Sequence, residues 1–372
     1  MKRSPGVFVL AALAAMPASA GFLECVADTH QGRKGDYLNG TTAQVDEGVW
    51  EWEIGSGDTY TNIQGITADG MFHATVSTGD PSHALSAFNT VDLVVSRFNA
   101  VPATRPYAQD IDTLLDACEF DPGDYLEGTE AAQNQAYCTI AIHYYSRVLS
   151  EFTAVENVDR HITPRKSLAG WDLAAHIRAA WRAGYLVYAT GMIDRILERR
   201  PDWEHIPLGT WDYTELSHGA LVRVMLEMRA AGDLSDALHA EALLLADGLL
   251  AAQLPDGSWS QGDFQATAYI LLGLRADRWN FSLPWQQAII EGVDYLQANA
   301  TAAPECGWAF PPDPEYGETN SEALMALAAI NSLPFVDGFE TGDSSAWTDD
   351  PGLPLPPPVA APEWRPAALP VY

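Results

Sequence analysis

Two short segments of the sequence combine a carboxylate and an imidazole at helical spacing. Asp172 precedes His176 by four residues, and Glu215 precedes His218 by three. Residues three or four apart lie on one face of an α-helix, so each pair can meet a common ligand. Such pairs could move a proton near neutral pH, or the four side chains could bind a divalent metal. The third interpretation is a buried polar network without a chemical role.

Further polar residues occupy comparable places at the starts of other apolar segments. Asp110 and Asp112 complete the set of candidate catalytic residues. The candidate substrate-binding residues are Asn62, Gln64, Trp171, Tyr213, Asp263, Gln265, Glu318 and Asn320. Helix capping is the alternative, because Asp, Thr and Asn satisfy free N–H groups at a helix start. Capping explains poorly why His176 and His218 lie about one turn inside.

Signatures of several other enzyme classes are missing from the sequence. It contains no Gly-x-Ser-x-Gly, no phosphate-binding glycine-rich loop, no His-Glu-x-x-His and no Cys-x-x-Cys. These patterns mark serine hydrolases, nucleotide-binding proteins and zinc sites. No cofactor and no metal site is therefore predicted.

The candidate residues belong to helical segments that recur along the chain. Segments that open with a polar cluster and continue as an apolar helix start near residues 61, 107, 168, 213, 262 and 318. Longer helices are predicted between them, at 82–97, 129–148, 185–199, 235–253 and 285–299. This alternation predicts an all-α fold, an α/α toroid with six inner and five to six outer helices. An open superhelical stack of helix pairs is the alternative.

A toroid would bring the candidate residues together. Its inner helices run in the same direction, so their polar starts would form one cup. We therefore expect Asp172, His176, Glu215 and His218 to lie on adjacent inner helices and to face one cavity.

The turn Gln253-Leu-Pro-Asp-Gly-Ser-Trp259 joins a predicted outer helix to the next inner one. A weaker copy places Gln297 before Gly307-Trp308. These segments resemble the Gln…Gly-x-Trp repeat of terpenoid cyclases and protein prenyltransferases, of which squalene-hopene cyclase is an example. The resemblance implies an α/α toroid in which the tryptophan packs over the turn.

A second likeness to the same family is incomplete. Asp110-Ile-Asp112-Thr113 is similar to the Asp-x-Asp-Asp acid of squalene-hopene cyclases, but Thr113 replaces the last aspartate. This replacement argues against polyene cyclisation.

The two ends of the sequence indicate export from a bacterial cell. Residues 1–20 carry two basic residues, an apolar run and a small-residue cleavage pattern, as a signal peptide does. Residues 21–59 would form an N-terminal arm, 60–333 the toroid domain and 334–372 an acidic and then proline-rich tail. Within the tail, Gly338-Phe-Glu-Thr-Gly-Asp-Ser-Ser-Ala-Trp347 resembles a signature near the ends of many exported proteobacterial proteins. We expect a secreted or periplasmic protein with no membrane span.

Charge and cysteine content support the same view. The net charge is −30, with 50 acidic residues against 20 basic ones, which makes nucleic acid an unfavourable partner. The four cysteines suit two disulfides in an exported chain. Of the three connectivities, Cys118–Cys138 with Cys25–Cys306 is preferred, because residues 118 and 138 lie on consecutive antiparallel helices.

Two functions remain open. One is an exported enzyme acting on carbohydrate, as a lyase, hydrolase or epimerase, with a cup of carboxylates and histidines and a glycan or other small molecule as its ligand. Neutral glycans are favoured, since few basic residues are near the cup to bind uronates. The other is a non-catalytic binding or scaffold protein with a degenerate cyclase-like toroid.

Overall fold

The computed structural model describes residues 20–35, 49–56, 63–100, 107–120, 130–149, 155–277, 282–302, 305–309 and 314–331. The helices in these ranges are α1 (Ala20–Gly32), α2 (Gln64–Thr78), α3 (Pro81–Ala100), α4 (Ala108–Glu119), α5 (Glu130–Leu149), α6 (Val155–Arg165), α7 (Ala169–Arg182), α8 (Leu186–Glu198), α9 (Arg200–Trp203), α10 (Thr214–Ala230), α11 (Asp236–Ala252), α12 (Phe264–Ala276), α13 (Leu283–Asn299) and α14 (Gly317–Asn331). Two short strands, β1 (Lys34–Gly35) and β2 (Val49–Trp50), pair antiparallel.

Six helices form a closed inner ring. Each of α2, α4, α7, α10, α12 and α14 packs against the next in this order, and α14 packs against α2. The predicted α/α toroid is therefore confirmed, and the open stack is wrong. Each inner helix begins within a few residues of its predicted start.

The outer ring contains the five predicted helices and a sixth, which comes from the N-terminal arm, the segment that the sequence offered for closing the ring. Helices α3, α5, α8, α11 and α13 each pack against the inner helix that precedes them. The sixth place is taken by α1, which packs against both α2 and α14. The chain thus closes its ring with its N-terminal helix, because no outer partner follows α14 in the described residues.

Buried tryptophans terminate four of the outer helices. The last carbonyl groups of a helix lack partners within it, so a donor from outside is needed. In α1, α8, α11 and α13 the donor is the indole N–H of the following segment. These bonds join Trp50 to His30 O (2.8 Å), Trp203 to Ile196 O (2.9 Å), Trp259 to Leu249 O (2.7 Å) and Trp308 to Leu296 O (2.9 Å).

The Gln253 side chain completes the turn that contains Trp259. Its Nε2 donates to Gly257 O at 3.0 Å within the turn and to Ala288 O of α13 at 2.9 Å. The turn therefore has the architecture that the sequence motif implied, whereas kinship with the terpenoid cyclases stays a prediction.

Both predicted disulfides are present, Cys118–Cys138 and Cys25–Cys306. The first joins α4 to α5. The second connects α1 to the segment before α14, across 281 residues of sequence. It covalently closes the outer ring where the two ends of the toroid meet.

The proposed segment boundaries at 20, 59 and 333 stay predictions. The first described helix begins at Ala20, the last residue of the predicted signal peptide. The predicted tail, with its tryptophan-containing signature, lies outside the described residues. No helix described has the length and apolar character that crossing a bilayer requires.

Glycines set the distance between inner helices. A Cβ atom on Gly219 of α10 would lie 2.8 Å from the backbone nitrogen of Ile270 on α12. Gly65 faces Asp110 of α4 and Gly170 faces Ser217 of α10 at similarly short range. The inner helices can therefore approach backbone to backbone, which larger residues at these positions would prevent.

Replacing Gly219 by alanine tests this packing. The added methyl group meets rigid backbone, so Gly219→Ala should lower the free energy of unfolding by about 1–3 kcal/mol, as overpacking does. Gly248 of α11 is the matched control, because a Cβ there meets nothing within 4 Å. Gly248→Ala should instead stabilise by about 0.5–1 kcal/mol through helix propensity. Equal effects in a denaturant titration would contradict the close approach.

Candidate functional site

The pore of the ring is filled by an ion-pair network. Arg178 and Arg182 of α7 both bind Asp112 of α4, and Arg182 also binds Asp116 at 2.6 Å. On the opposite side, Glu227 of α10 accepts from Arg178 at 2.7 Å and from Arg223 at 3.1 Å. We call these six residues the pore plug. Asp112, predicted as catalytic, therefore makes structural ion pairs.

Titration within the pore plug follows from its charges. Burial would raise the pKa of Glu227, but Arg178 and Arg223 outweigh this and hold it at about 2. Asp69 of α2 lies beside the plug, where burial and the charge of Asp116 raise its pKa well above the usual range. One carboxyl group is thus kept neutral among several ionised ones.

A second group of carboxylates lies around the starts of the inner helices, at the end of the ring away from the pore plug. We call this group the acidic mouth and define it by Asp172 of α7, Asp263 at the start of α12, and Glu318 and Glu322 of α14. The sequence predicted three of them, and Glu322 follows Glu318 by one helical turn. They come together because the inner helices are parallel, so that residues distant in sequence share one level of the ring.

Glu318 has a carboxyl group whose pKa is raised to near neutrality. Its side chain is partly exposed to solvent, although protein surrounds it. Burial, followed by the charge of Asp172, raises its pKa to about 7, while a hydrogen bond from Trp52 acts in the opposite direction. A carboxyl group of this kind holds a proton near neutral pH and can release it.

Glu322 lies deeper and is fully buried. Gln265 donates to its Oε1 at 3.2 Å, so this predicted residue does reach the mouth. Burial and then the charge of Glu318 raise the pKa of Glu322 well above its usual value. The two glutamates are therefore electrostatically linked.

Asp172 differs from its neighbours because it has a cationic partner. Arg165 Nε lies 2.7 Å from its Oδ2, and His161 Nε2 lies 3.6 Å from the same atom. Next to it, Trp171 makes an edge-to-face contact with Tyr269, with ring centroids 6.1 Å apart. The mouth thus contains the ion-paired carboxylate of Asp172 and the carboxyl group of Glu318 with its raised pKa. The Trp171 and Tyr269 rings lie beside them.

A cleft of about 330 Å³ opens at the edge of the mouth. We call it the rim cleft. It lies between the segments that lead into α10 and α12, and its lining includes Trp211, Asp212, Tyr213 and Asp263. Trp211 is 58% exposed. Asp263 also contributes to the raised pKa of Glu322, so the rim cleft adjoins the mouth.

The two acids of the rim cleft titrate in opposite directions. Burial raises the pKa of Asp263, whose Oδ1 caps α12 by accepting from Ala266 N at 2.7 Å. Burial has the same tendency at Asp212, but hydrogen bonds from Thr214 and His205 lower its pKa instead.

The predicted carboxylate–histidine cluster does not form. His176 packs edge to face against His161 of α6, with ring centroids 5.8 Å apart. His218 instead binds Glu204 Oε1 at 2.7 Å and packs on Trp203 of α9. These contacts place His176 against α6 and His218 against α9, which is not the shared cavity that the sequence predicted.

Glu215 is also separate from the mouth chemistry. Its Oε2 accepts from the backbone N of Ser260 at 2.6 Å and from its hydroxyl group at 2.8 Å. The carboxylate therefore fastens the loop before α12 to α10. No measurement of activity bears on the residues of this predicted cluster, so a catalytic role for any of them stays a prediction.

Several other predicted residues serve the fold. Asp110 is buried and accepts from Gly65 N at 3.0 Å. Gln64 exchanges hydrogen bonds with the backbone of Trp50, and Asn320 accepts from Trp308 N at 2.8 Å. Asn62 lies outside the described residues.

Sequence reasoning missed most of the pore plug and did not single out Trp211 from four other indoles that could stack on sugar rings. A signal for the plug was available: Arg178 and Arg182, like Asp112 and Asp116, are four residues apart, and so are Arg223 and Glu227. Residues at this spacing share a helix face. Trp211 has no such signal, because its place depends on how the loop before α10 folds.

Comparisons with known proteins identify the fold. No family model and no curated protein matches the sequence. Among solved structures, a possible member of family GH105 from Salmonella enterica serovar Paratyphi A superposes with a TM-score of 0.58 and 14% identity, covering 88% of this chain and 96% of that one. The GH76A α-1,6-mannanase of Salegentibacter sp. HEL1_6 gives 0.55 and 10%, covering 84% and 99%.

A third structure is an inactive variant of that mannanase in complex with α-1,6-mannotriose, with a TM-score of 0.53 and 9% identity, covering 84% of this chain and 99% of that one. At these identities the likeness shows a common α/α-toroid fold and leaves activity to be argued from the site.

The structural role of His218 can be measured. His218→Ala removes a hydrogen-bond partner from Glu204, a carboxylate that also binds Arg200. We expect a loss of about 1–3 kcal/mol in unfolding free energy, the usual cost of leaving a part-buried group underbonded. His239 on α11 provides a control for simple loss of an imidazole. A destabilisation no larger than that of His239→Ala would refute the structural role.

Proposed function

We propose that this protein hydrolyses a glycosidic bond in a neutral glycan, and that the reaction takes place at the acidic mouth. The observation that carries the proposal is Glu318, a partly exposed residue whose carboxyl group has its pKa raised to about 7 by burial and by Asp172. Few environments keep a carboxylic acid protonated at neutral pH, and those that do are enriched in catalytic sites.

Glycoside hydrolysis generally needs two carboxyl groups in different states. One donates a proton to the leaving oxygen, and the other activates water or attacks the sugar carbon. We assign the first role to Glu318 and the second to Asp172, whose carboxylate forms an ion pair with Arg165. The electrostatic effect of Asp172 on Glu318 supports the assignment, because it requires the two groups to be close.

The charge of the chain favours a neutral substrate. Its net charge is −30, which repels an anionic ligand such as a uronic acid. The fold agrees with a carbohydrate ligand, since the similar mannanase has been crystallised with a mannotriose.

The rim cleft is the proposed place for a sugar ring. The cavity in the pore measures about 40 Å³, enough for only a few water molecules. The rim cleft is much larger and exposes the indole of Trp211. An exposed aromatic face beside polar groups suits the apolar face and hydroxyl groups of a pyranose.

Export of the protein is part of the proposal. Two disulfides suit an oxidising compartment such as the periplasm or the cell exterior. A polymeric glycan would be available there.

A binding or scaffold protein is the second candidate. It is favoured by the pore plug, which devotes much of the ring interior to ion pairs. Such a protein would bind glycans at the rim cleft and release them unchanged, and the next experiment distinguishes the two cases.

Glu318→Gln should abolish turnover, because an amide cannot donate the proton. The wild-type activity, screened on neutral oligosaccharides that include α-1,6-linked mannosides, should fall as pH rises through about 7, where Glu318 loses its proton. Asp247→Asn on α11 is the control for removal of one acid. Glycan binding without turnover in the wild type would overturn the hydrolase and support the binding protein.

Asp172→Asn tests the electrostatic link. Removing this negative charge removes one cause of the raised pKa of Glu318. The alkaline limb of the residual kcat/KM profile should therefore move to lower pH. An unchanged limb would show that another group donates the proton.

Trp211→Ala tests the sugar position. Loss of the indole should raise KM about tenfold, equivalent to about 1.4 kcal/mol of binding, with kcat nearly retained. The indole is exposed, so the melting temperature should not change. Tyr188→Ala on α8 removes another partly exposed aromatic ring away from the mouth and should leave KM unchanged. Equal KM values for the two variants would argue against the rim cleft.

A further inference from the structure

A second cluster of possible ligands lies on the outside of the toroid, away from the mouth. It consists of Asp28 on α1, Asp80 in the turn between α2 and α3, and His83 on α3. One carboxylate oxygen from each aspartate and one nitrogen of His83 all lie within 4.8 Å of one another. His83 is fully buried, whereas both aspartates are exposed.

The hydrogen bonds of Thr78 favour one tautomer of His83. The Thr78 hydroxyl group donates to Ala74 O at 2.9 Å and accepts from Asp80 N at 3.2 Å. Its remaining lone pair faces His83 Nδ1 at 3.2 Å. In the tautomer whose Nδ1 carries the hydrogen and donates to Thr78, the lone pair of the neutral imidazole lies on Nε2.

In that tautomer the Nε2 lone pair of His83 faces the carboxylate of Asp28. Asp28 Oδ1 lies 3.3 Å from Nε2, and Asp80 supplies the second carboxylate of the cluster. A lone pair and a carboxylate repel each other unless a positive charge lies between them. A proton on Nε2 supplies one positive charge for two carboxylates, whereas a divalent ion neutralises both.

We propose that Asp28, Asp80 and His83 bind a divalent transition-metal ion, with Zn²⁺ as the best fit and water completing the coordination. Nitrogen and oxygen ligands lie about 2.0–2.2 Å from zinc, so two ligand atoms at the tetrahedral angle are about 3.3–3.6 Å apart. The Nε2–Oδ1 distance of 3.3 Å agrees with this edge.

The remaining geometry requires only small movements. The imidazole is held by burial and by Thr78, as metal-binding histidines commonly are held by a second hydrogen bond. The Asp28 side chain is 62% exposed, so it can rotate to bring its carboxylate oxygen closer to the other two ligands. Carboxylate and imidazole donors together suit zinc better than magnesium or calcium, which prefer oxygen alone.

Such a site would fasten the N-terminal helix to the ring. Asp28 belongs to α1, the outer helix that closes the ring, while Asp80 and His83 belong to the α2–α3 hairpin. The Cys25–Cys306 disulfide attaches α1 to the other side, next to α14. The metal and the disulfide would therefore hold α1 from both directions, and the metal site is independent of the proposed glycan chemistry.

Zinc titration of the full-length, tag-free protein after EDTA treatment tests the site. Calorimetry should show one zinc ion per chain, and zinc should raise the melting temperature. Asp28→Asn and Asp80→Asn alter exposed side chains, so the apo proteins should remain folded, but each should weaken zinc binding by about tenfold or more. Asp247→Asn, an exposed acid on α11, should bind zinc as the wild type does.

Thr78 provides a test of positioning. Thr78→Val removes the acceptor of His83 Nδ1 and should weaken zinc binding about 10–100-fold, whereas Thr78→Ser should restore it. If the wild type binds no zinc, or if Asp28→Asn and Asp80→Asn leave its affinity unchanged, the proposal is wrong. His83 would then be a hydrogen-bond partner of Asp28 and Thr78 alone.

Discussion

A hydrogen bond from a buried indole to the end of an outer helix determines how this chain folds back on itself. The bond occurs at α1, α8, α11 and α13, and at each the donor is fully buried. It satisfies a carbonyl group that the helix leaves without a partner and at the same time fixes the direction of the next segment. That segment leads to the start of an inner helix, so the indoles indirectly place the residues of the mouth.

Close packing of the inner helices then creates the chemistry of the mouth. Glycine at Gly65, Gly170 and Gly219 lets neighbouring backbones approach, and side-chain oxygens accept from backbone N–H groups of the adjacent helix, as Ser217 Oγ of α10 accepts from Trp171 N of α7. The parallel helix starts bring Asp172, Glu318 and Glu322 within electrostatic range. Proximity of like charges in a partly dry site raises pKa values, so the proton chemistry follows from the packing.

The sequence allowed the six inner helices, five outer helices and both disulfides to be predicted, because apolar periodicity is a local signal and four cysteines allow only three connectivities. It did not reveal which way each helix faces the pore. On α7, Trp171, Ala174 and Arg178 line the pore cavity, and His176, two positions from both Ala174 and Arg178, therefore faces the outer helices. The spacing of Asp172 and His176 indicated a shared role, but Asp172 acts on Glu318 at the mouth, whereas His176, one turn further along α7, packs against His161 of α6. The helix in the N-terminal arm was not predicted, because α1 packs against residues almost 300 positions away.

The arginines are concentrated in the pore plug, so Glu227 there has a lowered pKa, whereas Glu318 at the mouth has a raised one. In the pore plug, Arg178, Arg182 and Arg223 match the carboxylates, and Glu227 keeps a pKa of about 2 despite burial. A removed partner there would leave an uncompensated buried charge, so the plug is costly to alter. At the mouth, burial and neighbouring acids dominate instead, and Glu318 reaches a pKa of about 7. Since the plug leaves a cavity of only about 40 Å³ in the ring interior, the substrate of the proposed reaction would approach from the mouth.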